Sequence, residues 1–236
     1  MNALVMYDHQ TDTLWSQFLS RGVKGPLANV NLEIVPVLQT TWRQWLSLHP
    51  DTLVLDKMGR YQSDTYEGYY RGGSAGIIGE SNKDRRLPLK DLVLGVHLAG
   101  SAKAYPFRAI AGQAAVNDLF DGNHVLVTFD PLSETGAAFD RRVEDRPLTF
   151  RLLEEESLQA PFAEGGQERL VEEEDLGGFL LLRDDETGST WQALTGRAID
   201  GPLAGTALER LPSFYAFWFA WSDFHPDTEL HGGNGG

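Results

Sequence analysis

The sequence predicts a β-rich α+β fold, a pseudo-repeat of antiparallel hairpins in which one helix closes each unit. Two observations lead to this prediction. A segment near the start of the chain recurs near its end, and much of the remaining chain consists of short apolar runs separated by tight turns. Such runs, bounded by turn residues, are typical of buried strands joined as antiparallel hairpins.

The repeat aligns residues 4–52 with residues 180–228 without a gap, at a constant offset of 176 residues and with 18 identities in 49 positions. A common core pattern would not reproduce polar turns at a fixed offset, so the repeat indicates an internal duplication. The matching blocks include Gly25-Pro26-Leu27-Ala28 with Gly201-Pro202-Leu203-Ala204, Trp42 and Trp45 with Trp218 and Trp221, and His49-Pro50-Asp51-Thr52 with His225-Pro226-Asp227-Thr228.

The domain organisation follows from the unequal length of the two copies. About 90 residues precede the later copy and have no counterpart before the earlier one. We expect the half-unit to pack beside residues 180–231 about a pseudo-two-fold axis. The predicted divisions are the second half of a first repeat unit at 1–55, a linker at 56–90, a complete second unit at 91–231 and a flexible glycine-rich tail at 232–236.

The strands of the repeated segment follow from its apolar runs. Leu4–Tyr7 and Phe179–Arg183 predict buried strands, each followed by a polar turn. In the later copy this turn is Asp184–Gly188, in which Gly188 suits a positive φ, and a return strand centred on Trp191 follows.

The closing helix of the later copy is predicted at residues 214–224, with Ser213 as its N-cap. Phe214, Phe217, Trp218 and Trp221 recur at the spacing of one helical face, and Pro226 ends the helix.

Three hairpins and one loop are predicted before the later copy. The stretch Glu154–Asp175 is long, acidic and poorly periodic, which predicts a solvated loop. The hairpins pair Val93–Leu98 with Ala102–Tyr105, Val116–Phe120 with His124–Phe129 through Asp121-Gly122, and Ala137–Arg142 with Pro147–Leu152.

Composition excludes several classes of function. The 236 residues contain no cysteine, so disulfides, thiolate metal sites and cysteine nucleophiles are absent. The formal net charge of −14 argues against nucleic-acid binding, which needs a basic face. The sequence shows no apolar run long enough for a membrane span and no signal peptide, so the compartment is cytoplasmic only by default.

The sequence resembles the bacterial and archaeal family catalogued as domain of unknown function 3179. The resemblance covers nearly the whole chain except the acidic stretch, and members of this family are often exported. It implies no activity, because the family has none established. The stretches that carry it include Met6-Tyr7-Asp8, Trp42-Arg43-Gln44-Trp45, Ala104-Tyr105-Pro106, Val116-Asn117-Asp118, Val127-Thr128-Phe129-Asp130-Pro131-Leu132 and Glu186-Thr187-Gly188-Ser189-Thr190-Trp191.

Two departures from the family pattern bear on chemistry. Members commonly carry a Cys-Pro-Leu-Cys segment where this chain has Asp130-Pro131-Leu132-Ser133, so any chemistry of those cysteines is excluded here. Typical members also have a complete first unit, and this resemblance implies that the first unit is truncated here.

The candidate catalytic residues are Asp130, Ser133 and Glu134, at the end of a predicted strand. Two carboxylates there could act as an acid–base pair or bind a hard cation. The alternative is a relic turn in which Asp130 caps the backbone before Pro131. No pair of histidines has the spacing of a zinc site, so the metal and any cofactor stay unknown.

Six further residues are candidate ligand contacts, each with a structural alternative. The repeated Asp184 and Arg197 could instead form an ion pair across their hairpin, and the repeated tryptophans, Trp191 among them, could instead anchor the core. The six residues are Tyr105, Asn117, Asp118, Asp184, Trp191 and Arg197.

The function that these observations favour is a soluble, non-redox binding or scaffold protein. The alternative is a hydrolase or metal-dependent enzyme that uses Asp130, Glu134 and a histidine in the cleft between units. The missing half-unit leaves two alternatives for partners: a homodimer, or a partner chain that supplies the missing half.

Overall fold

The computed structural model describes residues 4–60, 63, 66–76, 79–153 and 180–233. The predicted acidic loop at Glu154–Asp175 therefore lies outside the described residues. In chain order the elements are β1 (Val5–Tyr7), β2 (Leu14–Ser16), β3 (Arg21–Lys24), α1 (Trp42–Leu48), α2 (Glu67–Arg71), β4 (Leu92–Leu98), β5 (Ser101–Pro106), α3 (Phe107–Ile110), β6 (Ala115–Phe120), β7 (Asn123–Asp130), β8 (Thr135–Asp140), β9 (Arg142–Val143), β10 (Arg146–Pro147), β11 (Phe150–Leu152), β12 (Leu181–Asp184), β13 (Thr190–Gln192), β14 (Arg197–Asp200), β15 (Ser213–Phe217), α4 (Trp218–Phe224) and β16 (Glu229–Leu230).

One compact unit contains the described residues of Met1–Val37, Gly59–Pro106 and Pro212–Gly236. It holds a three-stranded sheet of order β1-β2-β3 and a four-stranded sheet of order β15-β4-β5-β16. The second sheet is antiparallel apart from β16, which runs parallel to β5. Helix α4 contributes Trp218 and Trp221 to the core of this unit, where both are fully buried.

The second compact unit contains the described residues of Leu38–Met58 and Phe107–Leu211. It holds a three-stranded sheet of order β6-β7-β8 and a four-stranded sheet of order β11-β12-β13-β14. Its core surrounds Phe139 and Trp191, and the ring of Phe150 meets Trp191 edge to face at 5.5 Å. Buried aromatic pairs of this kind stabilise a core beyond the area they bury.

The structure confirms a β-rich α+β fold, with several antiparallel sheets and few helices. The first two predicted hairpins form as β4–β5 and β6–β7. Asp121 and Gly122 have φ values of 47° and 77°, which gives the β6–β7 turn the left-handed backbone that two-residue hairpins need.

The third predicted hairpin is much shorter than expected. Only β9 and β10 pair, with Arg142 opposite Pro147 and Val143 opposite Arg146. The rest of the second arm pairs elsewhere, since β11 runs antiparallel to β12. The physical reason is burial, because Leu148 and Phe150 belong to the core around Trp191.

The predicted helix at residues 214–224 is also wrong at its start. Residues 213–217 form strand β15 beside β4, and the helix begins at Trp218. Ser213 is therefore a strand residue and not an N-cap. The aromatic spacing of Phe214 and Phe217 fits a helix, but aromatic residues also favour strands when a neighbouring strand is available.

The aligned segments contain elements with corresponding bounds. At the offset of 176 residues, β1, β2 and β3 correspond to β12, β13 and β14, with β12 one residue longer at its end. Helices α1 and α4 correspond residue by residue. The predicted domain boundaries and the pseudo-two-fold arrangement stay predictions.

Candidate functional site

The candidate catalytic residues lie in the turn between β7 and β8. Asp130 is buried, and its carboxylate accepts hydrogen bonds from the Leu132 amide at 2.9 Å and from the Ser133 hydroxyl at 2.6 Å. The Ser133 hydroxyl also lies 2.7 Å from that of Thr135, which lies 2.7 Å from the hydroxyl of Thr40. This arrangement is that of an aspartate that orders a turn.

Glu134 does not join this network. Glu134 is exposed to solvent, and its backbone is left-handed, with a φ of 50°. The described residues show no hydrogen bond between its carboxylate and Asp130. Among the described parts of the chain, no group of three histidine, aspartate or glutamate side chains is arranged to hold a metal ion.

Asp184 is a fully buried carboxylate held by neutral donors. It accepts hydrogen bonds from the amide and hydroxyl of Thr187 at 2.5 and 2.8 Å, from the Ser189 amide at 3.1 Å and from the Trp191 indole at 2.8 Å. Burial by itself would raise the pKa of Asp184, but the hydrogen bonds from Trp191, Thr187 and Ser189 outweigh it and lower that pKa.

The expected ion pair between Asp184 and Arg197 is not formed in the described structure. Arg197 is exposed at the start of β14, whereas the Asp184 carboxylate bonds within its own turn. Asp8 binds Thr11 and Trp15 in the same manner, with the Trp15 indole 2.7 Å from its carboxylate. This repeated turn therefore fixes the tryptophan of the next strand.

Three other candidate ligand contacts occupy separate positions in the fold. Asn117 exchanges two hydrogen bonds with the backbone of Phe150, at 2.7 and 2.8 Å, and so joins β6 to β11. Asp118 accepts from the Leu119 amide at 2.8 Å. Tyr105 is fully buried in β5, with its ring 5.3 Å from that of His231.

A helix followed by a His-Pro-Asp-Thr turn is built in the same way at two places in the chain. In the first, the Trp45 indole donates to the Thr52 hydroxyl at 2.9 Å, and the His49 ring lies 4.3 Å from the Trp45 ring. In the second, the Trp221 indole donates to Thr228 at the same 2.9 Å, and its ring lies 4.2 Å from His225.

The backbones of these two turns also agree. His49 ends α1 with φ −138° and ψ 71°, and His225 ends α4 with φ −127° and ψ 71°. In each turn the threonine amide donates to the histidine carbonyl at 3.1 Å. The helix and its turn therefore form a rigid local unit that the Trp–Thr hydrogen bond holds closed.

The surroundings of the two helices differ. Trp218 and Trp221 of α4 have no exposed surface, and a Cβ added at Gly95 of β4 would lie 2.3 Å from the Trp221 ring. Trp42 of α1 is 52% exposed, Trp45 is only half-buried, and no residue of α1 is buried. We call Trp42, Trp45 and the turn through Thr52 the α1 face. This face exposes apolar surface, whereas the corresponding tryptophans of α4 are buried.

Trp45 contributes to the lining of two shallow grooves. Leu38, Thr40 and Trp42 line one groove, and His49, Pro50 and Thr52 line the other. The apolar surface continues past the turn, because Leu53, Val54 and Leu55 are all exposed. Contiguous exposed apolar surface with rigid aromatic anchors is typical of a protein-binding site.

A sequence-wide comparison places the chain in a family. Residues 1–228 match the family described as "Protein of unknown function (DUF3179)". The chain belongs to this family. No curated protein and no solved structure matches this DUF3179 chain. None of its described helices has the length and apolar character needed to cross a membrane.

The turn that follows α4 in this DUF3179 chain carries a histidine with a strongly shifted pKa. Burial is the main reason why the pKa of His225 falls to about 4, and the neighbouring His97, whose ring lies 5.2 Å away, lowers it further. His225 is therefore neutral at pH 7.

Sequence reasoning missed the α1 face as a site. Its signal was present in the repeated Trp-x-x-Trp and His-Pro-Asp-Thr blocks, which indicated two equal helices. Burial depends on strands distant in sequence, such as the one containing Gly95, and the pattern of α1 alone does not contain that information.

Proposed function

We propose that this protein is a non-catalytic, non-redox binding or scaffold protein, and that the α1 face docks a polypeptide partner. The observation that carries the proposal is the matched pair of helix–turn units. The α4 unit is covered by a sheet, and the α1 unit, built with the same hydrogen bond and the same ring contact, is exposed.

Preorganisation supports this proposal. Thr41 caps α1 by accepting from the Gln44 amide, and the turn holds the Trp45 ring through Thr52. A partner therefore binds a surface whose main aromatic side chain is already ordered, which lowers the entropic cost of association.

The partner that this surface fits is a β-hairpin with a glycine in its first strand. The support comes from α4, whose Trp221 ring lies over Gly95 in β4, where a Cβ would be too close. A partner with a hairpin equivalent to β4–β5 would meet this requirement. We also infer that the two helix–turn units descend from one duplicated ancestor, since identities at a fixed offset and matching element bounds both support it.

The direct test uses the full chain and a backbone-cyclised peptide with the sequence of residues 91–106, studied by titration calorimetry. Cyclisation is needed because an isolated two-stranded hairpin is only marginally stable in water. We expect saturable binding that is weakened at least tenfold by Trp45→Ala in the chain. A peptide carrying the Gly95→Val change, which puts a branched side chain against the tryptophan, is the matched control and should not bind.

Equal binding of both peptides, or binding that Trp45→Ala leaves unchanged, would contradict the proposal. A homodimer detected by light scattering and abolished by Trp45→Ala would identify a second copy as the occupant instead.

A hydrolase or metal-dependent enzyme is the second candidate, because the buried Asp130 carboxylate accepts a 2.6 Å hydrogen bond from Ser133. Such a pair could activate a serine hydroxyl. The enzyme hypothesis predicts turnover of p-nitrophenyl ester or phosphate substrates that Ser133→Ala abolishes. The binding proposal predicts no turnover with either chain.

A further inference from the structure

Strand β1 lies at an edge of its sheet. Its backbone reaches β2 through the Leu4 carbonyl, which accepts from Gln17 at 3.5 Å, and through the Asp8 amide, which donates to Thr13 at 3.1 Å. Backbone groups alternate in direction along a strand, so those of Val5 and Tyr7 face away from β2. No strand in the described part of the chain pairs with that side.

The side chains of this edge are apolar and exposed. Leu4 is 63% exposed and Val5 is 55% exposed. An exposed apolar edge offers unpaired hydrogen-bonding groups to any extended chain, and proteins usually cover or charge such edges. An added strand would pair these groups and cover the edge.

The corresponding edge of β12 is covered within this same chain. Strand β11 runs antiparallel to β12, with Arg151 opposite Arg183 and Leu152 opposite Leu182. Beyond the paired residues, the Leu153 amide donates to the Leu181 carbonyl and the Asp185 amide donates to the Thr149 carbonyl, both at 3.0 Å.

We propose that the β1 edge binds one extended strand of a partner polypeptide, antiparallel and in the register that β11 adopts on β12. At the offset of 176 residues, Arg183 corresponds to Tyr7 and Leu182 to Met6. The partner residue equivalent to Arg151 then lies opposite Tyr7 and exchanges backbone hydrogen bonds with it.

The same register defines the side chain that the partner supplies. Phe150 lies opposite Asp184, and its ring packs against Trp191. Asp8 and Trp15 are the corresponding residues of the first sheet, with the same carboxylate–indole hydrogen bond. A partner with an aromatic residue opposite Asp8 would place its ring beside Trp15, of which 9% is exposed.

A second copy of this chain fits the edge less well. Pairing β1 with β1 of another copy, with Tyr7 opposite Tyr7, puts Met6 opposite Asp8 and leaves Trp15 without an aromatic partner. Each copy also carries a formal net charge of −14, so two copies repel each other. A neutral or basic strand meets neither obstacle.

The test is fluorescence anisotropy with a labelled peptide of sequence Pro-Leu-Thr-Phe-Arg-Leu-Leu, that of residues 147–153, added to the full chain. One version is N-methylated at the arginine, whose amide would donate to Tyr7. The matched control is N-methylated at the phenylalanine, because the Phe150 amide donates to Asn117 and so points away from β12.

We expect the unmodified and phenylalanine-methylated peptides to bind with similar affinity. Methylation at the arginine removes a ladder hydrogen bond and blocks close approach, so we expect roughly tenfold weaker binding or more. Hydrogen exchange of the Tyr7 amide should slow in the complex. Because the α1 face is not involved, Trp45→Ala should leave all of these results unchanged.

Absence of binding by the unmodified peptide, or equal weakening by the two methylations, overturns the inference. A dimer detected by light scattering also overturns it if, without peptide, the Tyr7 amide exchanges more slowly in the dimer than in the monomer. A second copy would then occupy the edge. These outcomes are independent of the hairpin experiment, which concerns Trp45.

Discussion

Trp221 and Trp45 allow the difference between the two helix–turn units to be measured as stability. Each is replaced by alanine in a separate full-length variant. Both changes remove the same 2.9 Å hydrogen bond to a threonine and the same contact with a histidine ring. The difference between the two losses therefore reports the burial of the rest of each tryptophan.

The expected magnitudes follow from exposure. Trp221 is fully buried over Gly95, and truncating such a side chain to alanine lowers the free energy of unfolding by about 3–5 kcal/mol. Trp45 is half-buried on a helix without buried residues, so its loss should be about 1 kcal/mol. With a urea slope of roughly 2 kcal/mol per molar, the midpoints should fall by about 2 M and about 0.5 M.

The assay is urea unfolding followed by circular dichroism, with light scattering to establish that each variant has the mass of the parent protein. Equal losses for Trp45→Ala and Trp221→Ala would refute the reasoning, because they would show that the α1 face is buried in solution. A large loss for Trp45→Ala alone would refute it more strongly.

Three further predictions concern other parts of the fold. Gly95→Ala should lower the free energy of unfolding by roughly 2 kcal/mol or more in urea melts, because its Cβ would meet the buried Trp221 ring at 2.3 Å, whereas Gly112→Ala, with no atom within 4 Å, should change it little. The lowered pKa of Asp184 means that its ionised form stabilises the fold above pH 3.8, a contribution lost as the pH falls through its folded value; Asp184→Asn should lower the melting temperature at pH 7 and reduce the loss on acidification, and unchanged acid sensitivity would contradict this. His225 binds its proton more readily in the unfolded chain, so stability should decrease as the pH falls from 6.5 to about 4, and His225→Gln should flatten a plot of melting temperature against pH over that window.

Local interactions explain which parts of the fold could be predicted from sequence. The β6–β7 hairpin was predictable because Asp121-Gly122 adopts its turn without help from distant residues. For Asp8 and Asp184 the sequence predicted a structural role but not the group that each carboxylate binds. Their repetition indicated structural importance, but an arginine was the expected partner and an indole is the actual one.

Long-range pairing explains where prediction failed. Residues 213–217 have helical aromatic spacing, yet β4 lies beside them and they form a strand. In the candidate catalytic turn, the position of Asp130 was correctly expected at a strand end, but its burial against Ser133 depends on how β7 and β8 close. The residues could be named from sequence, but their exposure could not.

The amino-acid order alone establishes the repeat, the family, the absence of cysteine and the two matching helix–turn units. These features depend on local residue types, which act over a few positions of the chain. The difference between a covered α4 and an exposed α1 arises only in three dimensions. It depends on whether strands such as β4, more than 100 residues away from α4 in sequence, lie against a given tryptophan. Two nearly identical local patterns therefore have different burial, and that difference is the basis for the proposed binding function.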